Sequence, residues 1–141
     1  MPRVLHWIHD LRRPVPGPEM SLPAMFLGAL LSALATLVLL LLVRRERRAA
    51  VVATAAAAAL LMPILWNSIL NWTGAIGLFS HDLPFPPFPV SWQDTGTAVF
   101  TLAGTALALM SGPCRRDAPR SVAATAAVTA LAALIVDVYL Y

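Results

Sequence analysis

Charge is scarce in this chain. Only 12% of its 141 residues carry it, against about 25% in soluble globular domains. The apolar share is 59% and the mean hydropathy +0.75. A 15.1 kDa globule exposes too much surface for so few polar side chains to coat. A soluble enzyme, a disordered tail and a nucleic-acid binder are excluded on that ground. The composition is that of a membrane protein. Lysine is absent, and all ten basic residues are Arg. They sit in short clusters beside apolar runs, as topology signals and headgroup contacts do, and not along a nucleic-acid face. The single cysteine, Cys114, rules out an internal disulfide. It reads as a loop thiol beside Arg115-Arg116, with a reactive sensor as the alternative. Chemical motifs are missing too: no HExxH, no paired Cys, no phosphate-cradling glycine loop and no nucleophile elbow. His6, His9, Asp10 and His81-Asp82 have ligand-type side chains but no matching spacing, so neither a metal nor a cofactor is expected.

What the chain does have is four long apolar stretches, Leu22–Val43, Ala49–Leu70, Asp94–Met110 and Val122–Leu140. A bilayer core of about 30 Å needs roughly 20 helical residues, with about 17–25 acceptable. All four qualify, the third most narrowly. The expected fold is all-α: an integral membrane protein with a four-transmembrane-helix up-and-down bundle over residues 21–141. Residues 1–20 form an N-terminal tail. In it Val4, Trp7, Ile8 and Leu11 share a helical face, which fits a short helix lying at the headgroups. Ser21 and Pro23 suit the start of the first run. That run is longer than a signal-peptide core and is followed by Arg44-Arg45-Glu46-Arg47-Arg48 where a cleavage site would have to be, so it reads as a retained helix.

Orientation follows from Arg. The loops at 44–48 and 111–120 hold seven Arg, and the other side holds three, all in the tail. Basic loops stay cytoplasmic. The expectation is therefore a multi-pass protein of the cell membrane with both termini and the 71–94 loop outside.

In an up-and-down arrangement the unusual residues converge at one end. The second run contributes Trp66, Asn67 and Asn71, the third Trp92, Gln93, Asp94 and Thr97, the fourth Asp137, and the connecting loop His81. Pro63, Asn67, Asn71 and Gly74 fall on one helical stripe. The two Asn read either as interhelical hydrogen-bond partners or as substrate contacts. Ser91 and Asp94 have capping-box spacing. Thr97, Thr101 and Thr105 recur every fourth residue, as do Gly104, Ala108 and Gly112, spacing that lets helices approach closely. Asp137 shares a stripe with Thr125, Thr129 and Ala133. It either reaches the headgroups or lies buried as a functional carboxylate, the default reading of an intramembrane acid. Asp137 and Asp94 are the catalytic candidates. Asn67, Asn71, Trp66, Trp92, Thr97 and His81 are the binding candidates. The loop carrying Leu83–Pro89, with its four prolines, favours polyproline II and reads as a lid over the bundle mouth or as part of an aromatic belt.

In outline, Leu65–Leu109 resembles the small carotenoid cyclase subunits of bacteria: a helix with Trp66-Asn67, then Gly74 and Gly77-Leu78-Phe79, a proline loop and a new helix. The acidic pair of that family has no counterpart after Pro89, where Val90-Ser91-Trp92 follows, and Asn67 stands where an Asp is expected. The resemblance thus implies a helical outline and no activity.

The function expected from the residues is that of a small polytopic protein, structural or accessory and non-catalytic. It would pack with itself or with a larger membrane partner, in the lipid bilayer and without nucleic acid. The alternative is an enzyme or binding protein for a lipophilic substrate at the outer ends of runs two, three and four. A transporter subunit is the third reading.

Overall fold

The computed structural model describes residues 20–79 and 90–140. All the regular structure there is helical: α1 (Leu22–Leu42), α2 (Ala49–Thr73), the single turn α3 (Ile76–Phe79), α4 (Trp92–Ser111) and α5 (Pro119–Leu140). The tail of residues 1–19, with its expected surface helix, and most of the proline loop, including His81, lie outside the described residues.

Each boundary has a local cause. Ser21 precedes α1 in extended conformation with Pro23 in the first turn, though its hydroxyl makes no cap bond. Past the C-terminal end of α1, Arg45 takes a left-handed φ of 51° while the Glu46 N–H returns to the Leu40 carbonyl. At the end of α2, Gly74 takes φ 66° and the Ala75 N–H bonds the Leu70 carbonyl, a glycine-closed terminus. Gly74 therefore leaves the stripe of Pro63, Asn67 and Asn71 and serves as a cap. Ser91 opens α4 with a complete capping box. That sets its first turn at Trp92, two residues before the apolar run.

The four long helices form a ring in which α1 meets α2 and α5, and α4 meets the same two. The end of α2 lies beside the starts of α1 and α4 through Asn71–Met20 and Trp66–Gln93 hydrogen bonds. The opposite end is tied by Arg48, which donates to Glu46 in its own loop and to Asp117 in the α4–α5 loop.

Most of the interior is small or polar, apart from Leu40, Leu70, Leu109 and Val51, and the exterior is large and apolar. Facing inward are Gly28, Ala29, Ser32 and Thr36 of α1, then Ala55, Ala58 and Ala59 of α2. Thr97, Thr101 and Thr105 of α4 and Thr125, Ala126, Thr129 and Ala133 of α5 complete that core. Leu22, Phe26, Leu30 and Leu34 of α1 are each more than half exposed, as are Leu61, Val99, Leu107 and Leu131. Three helices, α1, α2 and α5, are long and apolar enough to cross a membrane. α4 falls short because its first turns hold Gln93, Asp94, Thr95 and Thr97.

The expected row of Gly104, Ala108 and Gly112 does not form one contact face. A side chain at Gly104 would strike Met62 of α2, whereas Ala108 and Gly112 are exposed. The steps of four hold the row on one stripe only within the helix, and α4 ends at Ser111.

Candidate functional site

The polar end is organised around Gln93, in the first turn of α4. Its amide donates to Asn67 Oδ1 at 3.2 Å and to Met20 Sδ at 3.0 Å, and its backbone carbonyl accepts the Trp66 indole N–H at 3.2 Å. Both Gln93 and Asn67 are buried, so each amide's desolvation is offset by the other. The Trp66 indole packs edge-on to Phe79 and tilted against Phe100, both at 5.6 Å between centroids. Gly96 leaves room for that ring: a Cβ there would collide with the indole.

Asn71 stands apart from this cluster. Its amide nitrogen donates to the Met20 carbonyl at 3.3 Å and approaches Met25 Sδ at 3.5 Å, while its Oδ1 is buried without a partner. The Asp94 carboxylate accepts the Ser91 N–H at 2.7 Å, and Ser91 Oγ accepts the Asp94 N–H at 3.1 Å. This satisfies two of the free donors at the helix start, and the negative charge lies at the positive end of the α4 dipole.

Asp137 is 1% exposed. It does not reach the surface as an anchor. It lies in the α4–α5 seam, facing Thr97 and Asp94, with its Oδ2 lacking any hydrogen-bond partner. Thr97 Oγ1 is likewise buried and unpartnered, as are Thr101, Thr105, Ser32 and Thr36. The α5 threonines differ: Thr125 and Thr129 donate back to the carbonyls of Ser121 and Thr125 at 3.0 and 2.9 Å. The structure thus splits the sequence-predicted set. Asn67 and Trp66 gather on Gln93. Thr97, Asp94 and Asp137 gather on the α4–α5 seam. Asn71 joins α2 to the entry of α1. Trp92 is half exposed, and His81 is outside the described residues.

Gly96, Ser32 and Thr36 were not singled out from the sequence, and Gln93 was counted only among the polar residues converging at this end, not as a binding candidate. Ser32 and Thr36 could have been found as the paired hydroxyls, four apart, in an otherwise Leu- and Ala-rich run. Among the described residues no group of three or more His, Cys, Asp or Glu could hold a metal. An apolar groove of about 620 Å³ runs along the outside of α1 and α5 between Leu34, Val38, Ile135 and Tyr139; none of the predicted site residues lines it.

At the opposite end, the Arg48 guanidinium holds the carboxyls of Glu46 and Asp117 below their ordinary range by hydrogen bonding to both. Burial pushes the Cys114 thiol up, and its hydrogen bond to Asp117 adds to this.

Comparison with protein-family models, with curated proteins and with solved structures finds no match for this chain.

Proposed function

We propose that the chain is an integral protein of the cell membrane, crossing it four times as an up-and-down helix bundle. Its role is that of a structural or accessory component that packs with itself or with a larger membrane partner. The observation that carries this reading is the inverted distribution of side chains: most of the leucines outward, with threonines, serines and alanines filling most of the interior beside the buried Leu40, Leu70 and Leu109. In water that arrangement would expose a continuous apolar belt far beyond the few hundred Å² that soluble monomers tolerate. In lipid it is the natural one, because helices there associate through small residues and interhelical hydrogen bonds. α4 counts as the fourth span in this reading because its polar residues face inward and its outward face is Val99, Leu102, Leu107 and Met110. The Arg48 link between the two Arg-rich loops supports putting both on one side, the cytoplasmic side by the Arg count. The non-catalytic reading rests on the polar end, where Trp66, Asn67, Gln93, Ser91 and Asp94 bond one another.

The test is impermeant labelling of cysteines placed at 44–48, 111–118 and 80–90 in intact cells, together with particle size in lipid nanodiscs. The expected result is that the first two segments share one compartment, the third occupies the other, and the particle contains more than one chain. All three segments in one compartment, or solubility without detergent, overturns the membrane reading. A strict monomer in lipid with no co-purifying membrane protein overturns the packing role.

A second reading has its own observation in favour. Asn71 Oδ1 and Asp137 Oδ2 are buried and unpaired, and unsatisfied polar atoms at one bundle end suit a site for a lipophilic ligand with a polar group. Asp137→Ala and Asn71→Ala variants that fold but leave cellular phenotype unchanged would remove it.

A further inference from the structure

Among the described residues Asp137 has no counter-cation. The three helices packed against α5 carry between them one charged residue, Asp94, and it has the same sign. Among the described residues, the other charges lie in the loops and first turn at the far end, where Arg44–Arg48, Arg115, Arg116, Asp117 and Arg120 cluster. A carboxyl group 1% exposed, with a second carboxyl acting on it and no cation to pair with among the described residues, holds a charge only at heavy cost in a medium of low dielectric. The Asp94 carboxylate accepts the Ser91 N–H and lies at the positive end of α4. Asp137 has only the Thr97 hydroxyl beside it.

The orphaned atoms of the seam fit the same account. Asp137 Oδ2 and Thr97 Oγ1 both lack a partner, although each has the other's side chain as a neighbour. A proton on the Asp137 carboxyl converts an acceptor-only group into one that also donates. It can then bond Thr97 Oγ1, and the buried charge disappears.

From this geometry we infer that Asp137 and Thr97, beside Asp94, form a proton-binding site inside the membrane, in which Asp137 holds the proton and Thr97 Oγ1 receives its hydrogen bond. The site lies at the start of α4, so its proton is exchanged with water on the side of Val90–Trp92. The inference rests on the membrane reading above and adds to it a ligand and a residue.

The experiment uses the full chain in phosphatidylcholine vesicles and a hydrophobic carbodiimide. That reagent takes the proton of a neutral carboxylic acid onto nitrogen while the carboxyl oxygen adds to its central carbon. Acyl migration to nitrogen then leaves a stable adduct heavier by one whole reagent molecule, with nothing released. Mass spectrometry at neutral pH is expected to find the adduct on Asp137 and on neither Glu46 nor Asp117. Labelling should be lost when the pH is raised far enough to withdraw the proton, and lost completely in Asp137→Asn. A water-soluble carbodiimide should not reach the site. Retention of the protein in vesicles after alkaline extraction is measured on the same sample. If the protein is extracted, the membrane reading fails. If it is retained and Asp137 stays unlabelled, the proton site fails. Suppression of labelling by sodium at fixed pH would also overturn the inference, in favour of a metal ion. Circular dichroism of Asp137→Asn, whose side chain has the shape of the neutral acid, checks that loss of label is not loss of fold.

Discussion

Gly96 and Gly104 lie two helical turns apart on the face of α4 that meets α2, and each gives its space to one side chain, Trp66 and Met62 respectively. The two neighbours differ in how easily they can move. Trp66 is held by a hydrogen bond to the Gln93 carbonyl and by Phe79 and Phe100, whereas Met62 presents the flexible end of a thioether. Gly96→Ala should therefore lower stability by about 1–3 kcal/mol, the usual range for overpacking. Gly104→Ala should cost clearly less. Thermal unfolding in detergent micelles compares the two, and equal losses would mean that Trp66 is not fixed as described. Arg45 carries a cost of a different kind. Its left-handed backbone, φ 51°, is unfavourable by about 1–2 kcal/mol for a residue with a Cβ, and glycine escapes that penalty at some loss of chain entropy. Arg45→Gly is expected to raise the midpoint of the same unfolding curve, and a fall would show that the Arg45 side chain has a role that the backbone geometry does not reveal.

Helix ends and the loop clamp decide how the elements meet. Ser91→Ala removes the hydroxyl that accepts the Asp94 N–H and should cost about 1 kcal/mol, read from the same melts, with the loss confined to the α4 end in hydrogen exchange. The Arg48 clamp has a pH signature whose sign can be worked out. Glu46 and Asp117 are both held below their ordinary range. Their contribution is therefore present above the unfolded carboxylate values near pH 4 and is lost as pH falls through the lower folded values. The two carboxyls are 12% and 25% exposed, but Arg48, which they share, is 46% exposed at the loop surface, so solvent screens the clamp and the effect is small. Arg48→Gln should remove the acid-side part of the stability profile and leave the neutral side nearly flat. Most of this element-level structure was legible in the sequence. The first run, the Ser91–Asp94 box and the buried stripe of Thr125, Thr129, Ala133 and Asp137 each have a local signal: an apolar length, a capping spacing, a period of four. The partners of Asn67 and Asn71 were not legible. Spacing places both on one face of α2, but a rotation of about 40° between residues four apart and the different neighbours at each height send one to α4 and the other to the entry of α1.

Over the whole molecule, the site candidates were legible as types and not as groups, because a sequence shows which end of a helix a polar residue occupies but not which seam it faces. The same limit applies to α4, whose average hydropathy is lowered by inward-facing residues that lipid would never meet. A membrane span is selected by the face that touches hydrocarbon, and for α4 that face is Val99, Leu102, Leu107 and Met110. Leu102 lies near the middle of the helix and points outward. If α4 crosses the bilayer, Leu102→Arg puts a guanidinium at its centre and should cost about 2.5–3.5 kcal/mol on insertion scales, a loss matching that of Leu30→Arg in the more apolar α1. If α4 rests outside the hydrocarbon, Leu102→Arg exchanges one solvent-facing side chain for another and costs less than 0.5 kcal/mol. The fraction of protein retained in membranes after alkaline extraction, with reporter tags after α4 to read its insertion, separates the two outcomes. An unchanged reporter in Leu102→Arg beside a defective Leu30→Arg would reduce the spans to three and put the α4–α5 seam, with Asp137, at the edge of the bilayer.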